Sequence, residues 1–206
     1  NPPAKDGSRP GVYWLNVRDT AVHPRFALPT LTYHESIPGH HLHFATAVDQ
    51  DVPPLVTAIW SNAAGEGWAL YSEQLAAEMG MYDGDPYGDL GRLQAELHRA
   101  VRLVVDTGMH AKKWSREQAI EYMVEAEGVE EGTAISEVER YAVWPGQALG
   151  YKLGMLKILE LREEAQQELG DSFDIRAFND MVLHVASTPL PYIEATVRDW
   201  IRQADM

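Results

Sequence analysis

A chain of 206 residues is long enough for one domain of ordinary size with a substantial core. With 45% hydrophobic and 23% charged residues and no apolar run near the ~20 needed to cross a bilayer, the composition argues against a membrane-spanning or disordered chain. A net charge of -14 disfavours nucleic acid as a partner, and the absence of Cys leaves only His and carboxylates to hold a metal.

The opening "NPPAKDGSRP", residues 1–10, reads as a linker-like lead-in, with no initiator Met, apolar signal region or basic leader. It looks processed, trimmed or incomplete; the cytoplasm is slightly favoured as location, with an exported form left open. "GVYWLNV" then reads as one short strand rich in β-formers. From Leu31 onward the pattern is helical, punctuated by Pro and Gly at "VPP", "GDPYG", "VWPG" and "STPLP". Helices are expected over Pro54 to Met79, with a break near Gly65 and Gly67 and a stop at Gly80, and over Asp89 to Trp114. Ser115 and Gln118 then form a capping box for the next helix. Thr133 to Ala142, Pro145 to Leu169 with Pro145 in the first turn, Asp174 to His184 and Leu190 to Gln203 complete the set. The fold class is mainly α, with at most one or two short strands near the N-terminus and one helical domain over residues 11–206.

The chemistry concentrates in "TYHESIPGHHLHF". His34 and Glu35 begin like a zinc-peptidase helix of the HExxH type, but the place of the second histidine is held by Pro38. In a regular helix, position i+6 is rotated about 240° from i, so His34 and His40 would diverge, while His41 would lie about 10.5 Å along the axis. Pro38 lacks the N–H that a continuous helix needs, and Gly39 permits unusual dihedrals. If "IPG" loops out, His40 falls where the second His of HExxH would sit, with His41 as the alternative ligand or a supporting group. "GEGWALYSEQL" supplies Glu66 and Glu73, seven apart and on one helix face. Glu66, between two glycines, is the expected third ligand; Glu73, deeper among apolar residues, is expected to orient a ligand histidine. Zn2+ suits such a His and Glu set, with Glu35 as general base toward a metal-bound water.

Arg102, Asp106 and His110, spaced i, i+4, i+8 in "VRLVVDTGMH", form a polar stripe on one helix face. It serves either as an ion-pair ladder between helices or as part of the site, with His110 touching substrate or a developing oxyanion. The glutamate runs "VEAEGVEEG" and "ELREEAQQE" read as solvated helix faces.

"HESIPGHHLH", "EGWALYSEQL", "RLVVDTGMHAKKWSREQAI" and "YAVWPGQALGYKLG" resemble successive blocks of the large bacterial family called domain of unknown function 885, over Gly11 to roughly Leu190. Those proteins are typically longer, and the chain resembles their C-terminal half. The resemblance implies a helical zincin-like catalytic domain, similar to the carboxypeptidase Taq and thimet oligopeptidase families, with the missing N-terminal half and a peptide substrate as partners. Aligned on "GH", His40 takes the second ligand position, Glu35 the base and Glu66 the third ligand; Tyr151 becomes a candidate oxyanion donor, beside His110. One departure is Asn179, where the family often has His. The expected function is a zinc-dependent metallopeptidase or amidase; the alternative is a non-catalytic peptide- or partner-binding module that keeps the same shell.

Overall fold

The computed structural model describes residues 3–4, 6–15, 17, 20, 23–49 and 60–204, with the side chains of 48 and 49 left aside. Among these residues the architecture is entirely helical, without a strand. The principal helices are α1 (Leu28–Glu35), α2 (His40–Asp49), α3 (Asn62–Glu78), α4 (Pro86–Lys112), α5 (Arg116–Glu127), α6 (Glu131–Val143), α7 (Gly150–Leu169), α8 (Ile175–Val185) and α9 (Leu190–Ala204). The strand expected over "GVYWLNV" is not formed: Gly11 to Leu15 and Val17 adopt no regular structure, and Asn16 lies outside the described residues. A strand needs a ladder partner, and no described residue forms a second strand.

Local chemistry sets the helix ends. The Ser115 hydroxyl accepts from the Gln118 N–H while the Gln118 side chain accepts from the Ser115 N–H, the reciprocal box that starts α5. Asp85 caps α4 through the Gly88 N–H, and Asp174 caps α8 through the Arg176 N–H. The helix expected from Pro54 begins, as described, at Asn62, residues 50–59 lying outside the description, and it runs unbroken past Gly65 and Gly67. Pro145 does not start α7. The Gly146 N–H is held by the Asp106 carboxylate at 3.0 Å with a φ of 81°, so Trp144 to Gly146 turn and α7 follows a short 3-10 stretch at Gln147–Leu149.

Two apolar clusters stabilise the molecule. One packs α3, α7, α8 and α9 around Trp68, Tyr71, Met155, Ile158, Phe178 and Ile193; the other packs α4, α5 and α6 around Val105, Met123, Val138 and Tyr141. Where α3 crosses α7, backbone meets backbone. A Cβ on Gly154 would stand 1.8 Å from the Ala63 carbonyl oxygen, and one on Gly67 would stand 2.5 Å from the Gly154 Cα. Neither obstacle is a flexible side-chain tip, so the helices must separate to admit a methyl group. Gly154→Ala is expected to destabilise the fold by about 3 kcal/mol or more, read as a lower urea midpoint.

His43 on α2 is fully buried, stacked on Phe44 at 5.2 Å and beside Ser187 at 3.2 Å. Burial, aided by the neighbouring His40, lowers its pKa from 6.5 to about 4. Between those values the unfolded chain binds a proton that the folded chain does not. This contribution to stability is therefore complete above pH 6.5 and is lost as pH falls toward about 4. Relative to His43→Gln, the wild-type chain is expected to lose about 3 kcal/mol between pH 7 and pH 4, measured by urea unfolding at each pH.

Candidate metal centre

The "HESIPGHH" segment breaks into two helices. α1 ends at Glu35, four residues form a loop, and α2 begins at His40. The Gly39 N–H donates to the Tyr33 carbonyl at 3.0 Å, and the His41 N–H reaches back to Ser36 at 3.1 Å. Any Cβ on Gly39 would lie 1.9 Å from the His34 carbonyl oxygen, so only glycine permits this close return. The Pro38 carbonyl accepts from the Trp68 indole at 3.0 Å, which ties the loop to α3, and the Ile37–Pro38 peptide bond is cis.

This folding back places the His34 and His40 rings edge to face, 4.9 Å apart. Glu66 on α3 meets both: its Oε2 lies 3.1 Å from His40 Nε2 and 3.5 Å from His34 Nε2. One donor atom from each of the three residues lies within 4.8 Å of the others. Two ligands on a tetrahedral zinc, each bonded at about 2.0–2.1 Å, stand about 3.3 Å apart, so the separations from Glu66 fit a dication held by this donor set.

Behind His34 stands Glu73, only 2% exposed. Its carboxylate accepts from His34 Nδ1 at 2.7 Å and from the Thr30 hydroxyl at 2.5 Å. In the neutral imidazole that bond puts the proton on Nδ1 and leaves the Nε2 lone pair facing the cluster, the form that can bind a metal. Burial pushes the Glu73 carboxyl up, but His34 and Arg99 outweigh it and hold it below the usual carboxylate range. Glu66 behaves alike: burial raises it, and the hydrogen bonds from His34 and His40 bring it well below normal. Burial works against a charged His34, yet the bonds to Glu66 and Glu73 raise its pKa. His40 has no counterpart to Glu73, for its Nδ1 is buried without a partner among the described residues.

The cluster opens on a cleft of about 670 Å3 whose lining includes Glu35, His40, His41, Glu66, Tyr13 and Trp60. Glu35 thus shares the cleft with two members of the cluster. His41 lines it too, packed against Gly11, but is not among the three converging donors. Tyr151 stacks on His34 at 6.2 Å and carries the Arg102 guanidinium 4.5 Å above its ring; its hydroxyl accepts from Gln147 at 3.4 Å, and it does not line the cleft. His110 is also absent from the lining, and its Nδ1 faces the carbonyl and carboxylate of Asp106 on its own helix. Asp106 holds the Gly146 turn, and Arg102 also lies over Tyr141, so this stripe ties α4 to α6 and to the turn before α7. Asn179 accepts from the Tyr71 hydroxyl at 3.0 Å and lines a separate cavity with Leu42 and Phe173.

Tyr13 and Tyr33, which line the cleft, and Trp60 are the residues missed in the sequence. Burial raises the Tyr13 pKa and the Glu35 charge adds to it, which marks the two as neighbours. The signal for Tyr13 was the unusually aromatic "VYW" stretch, read as a strand; Tyr33 stands next to His34 in the chain, and Trp60 had no local signal.

A family model described as "Bacterial protein of unknown function (DUF885)" matches residues 1–197. Among solved structures, "the putative lipoprotein from Colwellia psychrerythraea" superposes with a TM-score of 0.94 at 58% identity, over 98% of this chain and 34% of that one. "A putative lipoprotein of unknown function from Shewanella oneidensis" gives 0.80 at 26% identity, over 91% of this chain and 35% of that one. The chain therefore spans about a third of the length of these relatives. No curated protein matches it. The preference for the cytoplasm is overturned by these two relatives, whose descriptions as lipoproteins point away from it. No helix among the described residues is long and apolar enough to cross a membrane. With its family model matched over nearly its whole length, the chain belongs to the bacterial proteins of unknown function of the DUF885 family.

Proposed function

We propose that the chain is the zincin-like catalytic portion of a zinc-dependent hydrolase acting on peptide or amide bonds. The observation that carries the reading is the convergence of His34, His40 and Glu66 at the edge of a cleft that also contains Glu35. When bound, zinc would lower the pKa of a water and polarise a carbonyl. His34 Nε2, His40 Nε2 and Glu66 Oε2 would hold it. Glu73 fixes the tautomer of His34, and the Tyr151 ring holds that imidazole from the side. Glu35, next to His34 in the chain and facing the cleft, is the base that takes a proton from water and returns it to the leaving amine. Tyr13 and Tyr33, which line the cleft, are better located than Tyr151 or His110 to meet a developing oxyanion.

The descriptions of the solved relatives favour an exported or lipid-anchored setting for this activity. Their greater length favours a cleft completed by further chain, the C-terminal position of this region within a longer protein being part of the same reading.

Zinc uptake is the first test. The chelator-stripped chain is expected to bind one equivalent of Zn2+, His40→Ala and Glu66→Gln to abolish stoichiometric uptake, and a chain that takes up no zinc refutes the reading. Glu73→Gln is expected to weaken zinc affinity by about 10- to 100-fold, measured by competition with a chromogenic chelator. Glu35→Gln is expected to keep the metal and lower peptide or amide hydrolysis by about 100-fold or more. Metal uptake without hydrolysis in any variant or the wild type would turn the reading to a binding module.

A further inference from the structure

One wall of the cleft is built of parallel rings. Trp60 stacks on Phe44 at 5.4 Å with 24° between planes, and on the buried His43 at 6.0 Å and 22°. His40 closes the row, 6.0 Å from Phe44 and 25° from parallel. The indole lies directly on the backbone of α3: a Cβ on Gly65 would stand 2.3 Å from its ring. Gly65 precedes Glu66, so the indole sits one residue from a member of the metal cluster.

This wall is held from behind and open in front. His43 is fully buried and bonded to Ser187, while Trp60 remains 46% exposed. The lining of the cleft also includes Trp14, 73% exposed, and Tyr13. Among the described residues, the same lining includes Glu35 and Glu66 but no Lys or Arg. An anionic side chain on this wall would lie near the Glu35 and Glu66 carboxylates with no Lys or Arg of the described lining to pair with, whereas a flat apolar ring would meet a rigid stack at little conformational cost.

Resting on the hydrolase reading above, we infer that Trp60 and Phe44 form a subsite for an aromatic side chain of the substrate, next to the bond presented to His34, His40 and Glu66. The enzyme is thereby directed to neutral peptides or amides with a large aromatic residue beside the cleaved bond, and away from acidic ones. Nothing in this preference depends on turnover, since the wall exists before any metal is bound.

The test is direct binding, by calorimetry, of blocked phenylalanine, alanine and glutamate amides to the full 206-residue chain carrying Glu35→Gln, with and without zinc. The phenylalanine amide is expected to bind about 10-fold more tightly than the alanine amide, with the glutamate amide weakest. Trp60→Leu, which keeps an apolar cover on Gly65, is expected to remove most of that preference, and Phe44→Leu part of it. Tyr192→Ala, on an exposed α9 position outside the cleft lining, is expected to leave it intact. Equal affinities, no binding of the phenylalanine amide, or a preference unchanged by Trp60→Leu in a chain with native circular dichroism overturns the inference. These outcomes leave the hydrolase reading standing if zinc uptake and hydrolysis persist. Conversely, an aromatic preference in a chain that binds no zinc sinks the hydrolase reading and retains the subsite.

Discussion

The direct contact between the α3 and α7 backbones governs the geometry of everything around it. Gly67 and Gly154 let the two helices approach backbone to backbone, and an apolar cluster contributed by both helices holds them there. Because Glu66 and Gly67 are consecutive, the register of that crossing is also the register of the carboxylate that faces His34 and His40. Three residues before Gly154, Tyr151 meets the His34 ring. A packing decision made by two missing side chains therefore sets the position of one member of the polar cluster and of the ring stacked on another.

The second constraint is the short loop between α1 and α2. Pro38 cannot donate, Gly39 returns against the His34 carbonyl, and the Trp68 indole takes up the Pro38 carbonyl that the helix no longer uses. The outcome is two helices whose facing ends carry His34 and His40. A single helix through this segment would have sent the two imidazoles to different sides. Polar groups released by the break are reused, one by α3 and others within the loop.

How much was legible follows from the range of each interaction. The mainly helical class and the Ser115–Gln118 box depend on residues a few positions apart, and they are readable from order alone. The meeting of His34, His40 and Glu66 was reachable because Pro38 and Gly39 are local causes with a definite geometric effect, and because Gly65 and Gly67 announce a close approach. The partner of that approach, Gly154, was not legible, since nothing near Gly67 names it. The same holds for the Tyr151 hydroxyl, turned to Gln147 by the path of the chain before α7, and for His110, absorbed by Asp106 on its own helix. The "GVYWLNV" stretch misled for a related reason. Strand propensity expresses fit to a neighbouring strand, and without one the aromatic side chains line a cleft instead.

The two histidines of the cluster are unequally held. His34 is anchored from behind by a buried carboxylate that itself binds Thr30, so its orientation is settled as the chain folds. His40 has no such anchor on its second nitrogen among the described residues. Any group entering the cluster thus meets one imidazole whose outer nitrogen is already paired with a carboxylate and one whose outer nitrogen is paired with no described group, so the two nitrogens facing the cluster differ in how firmly their tautomer is set.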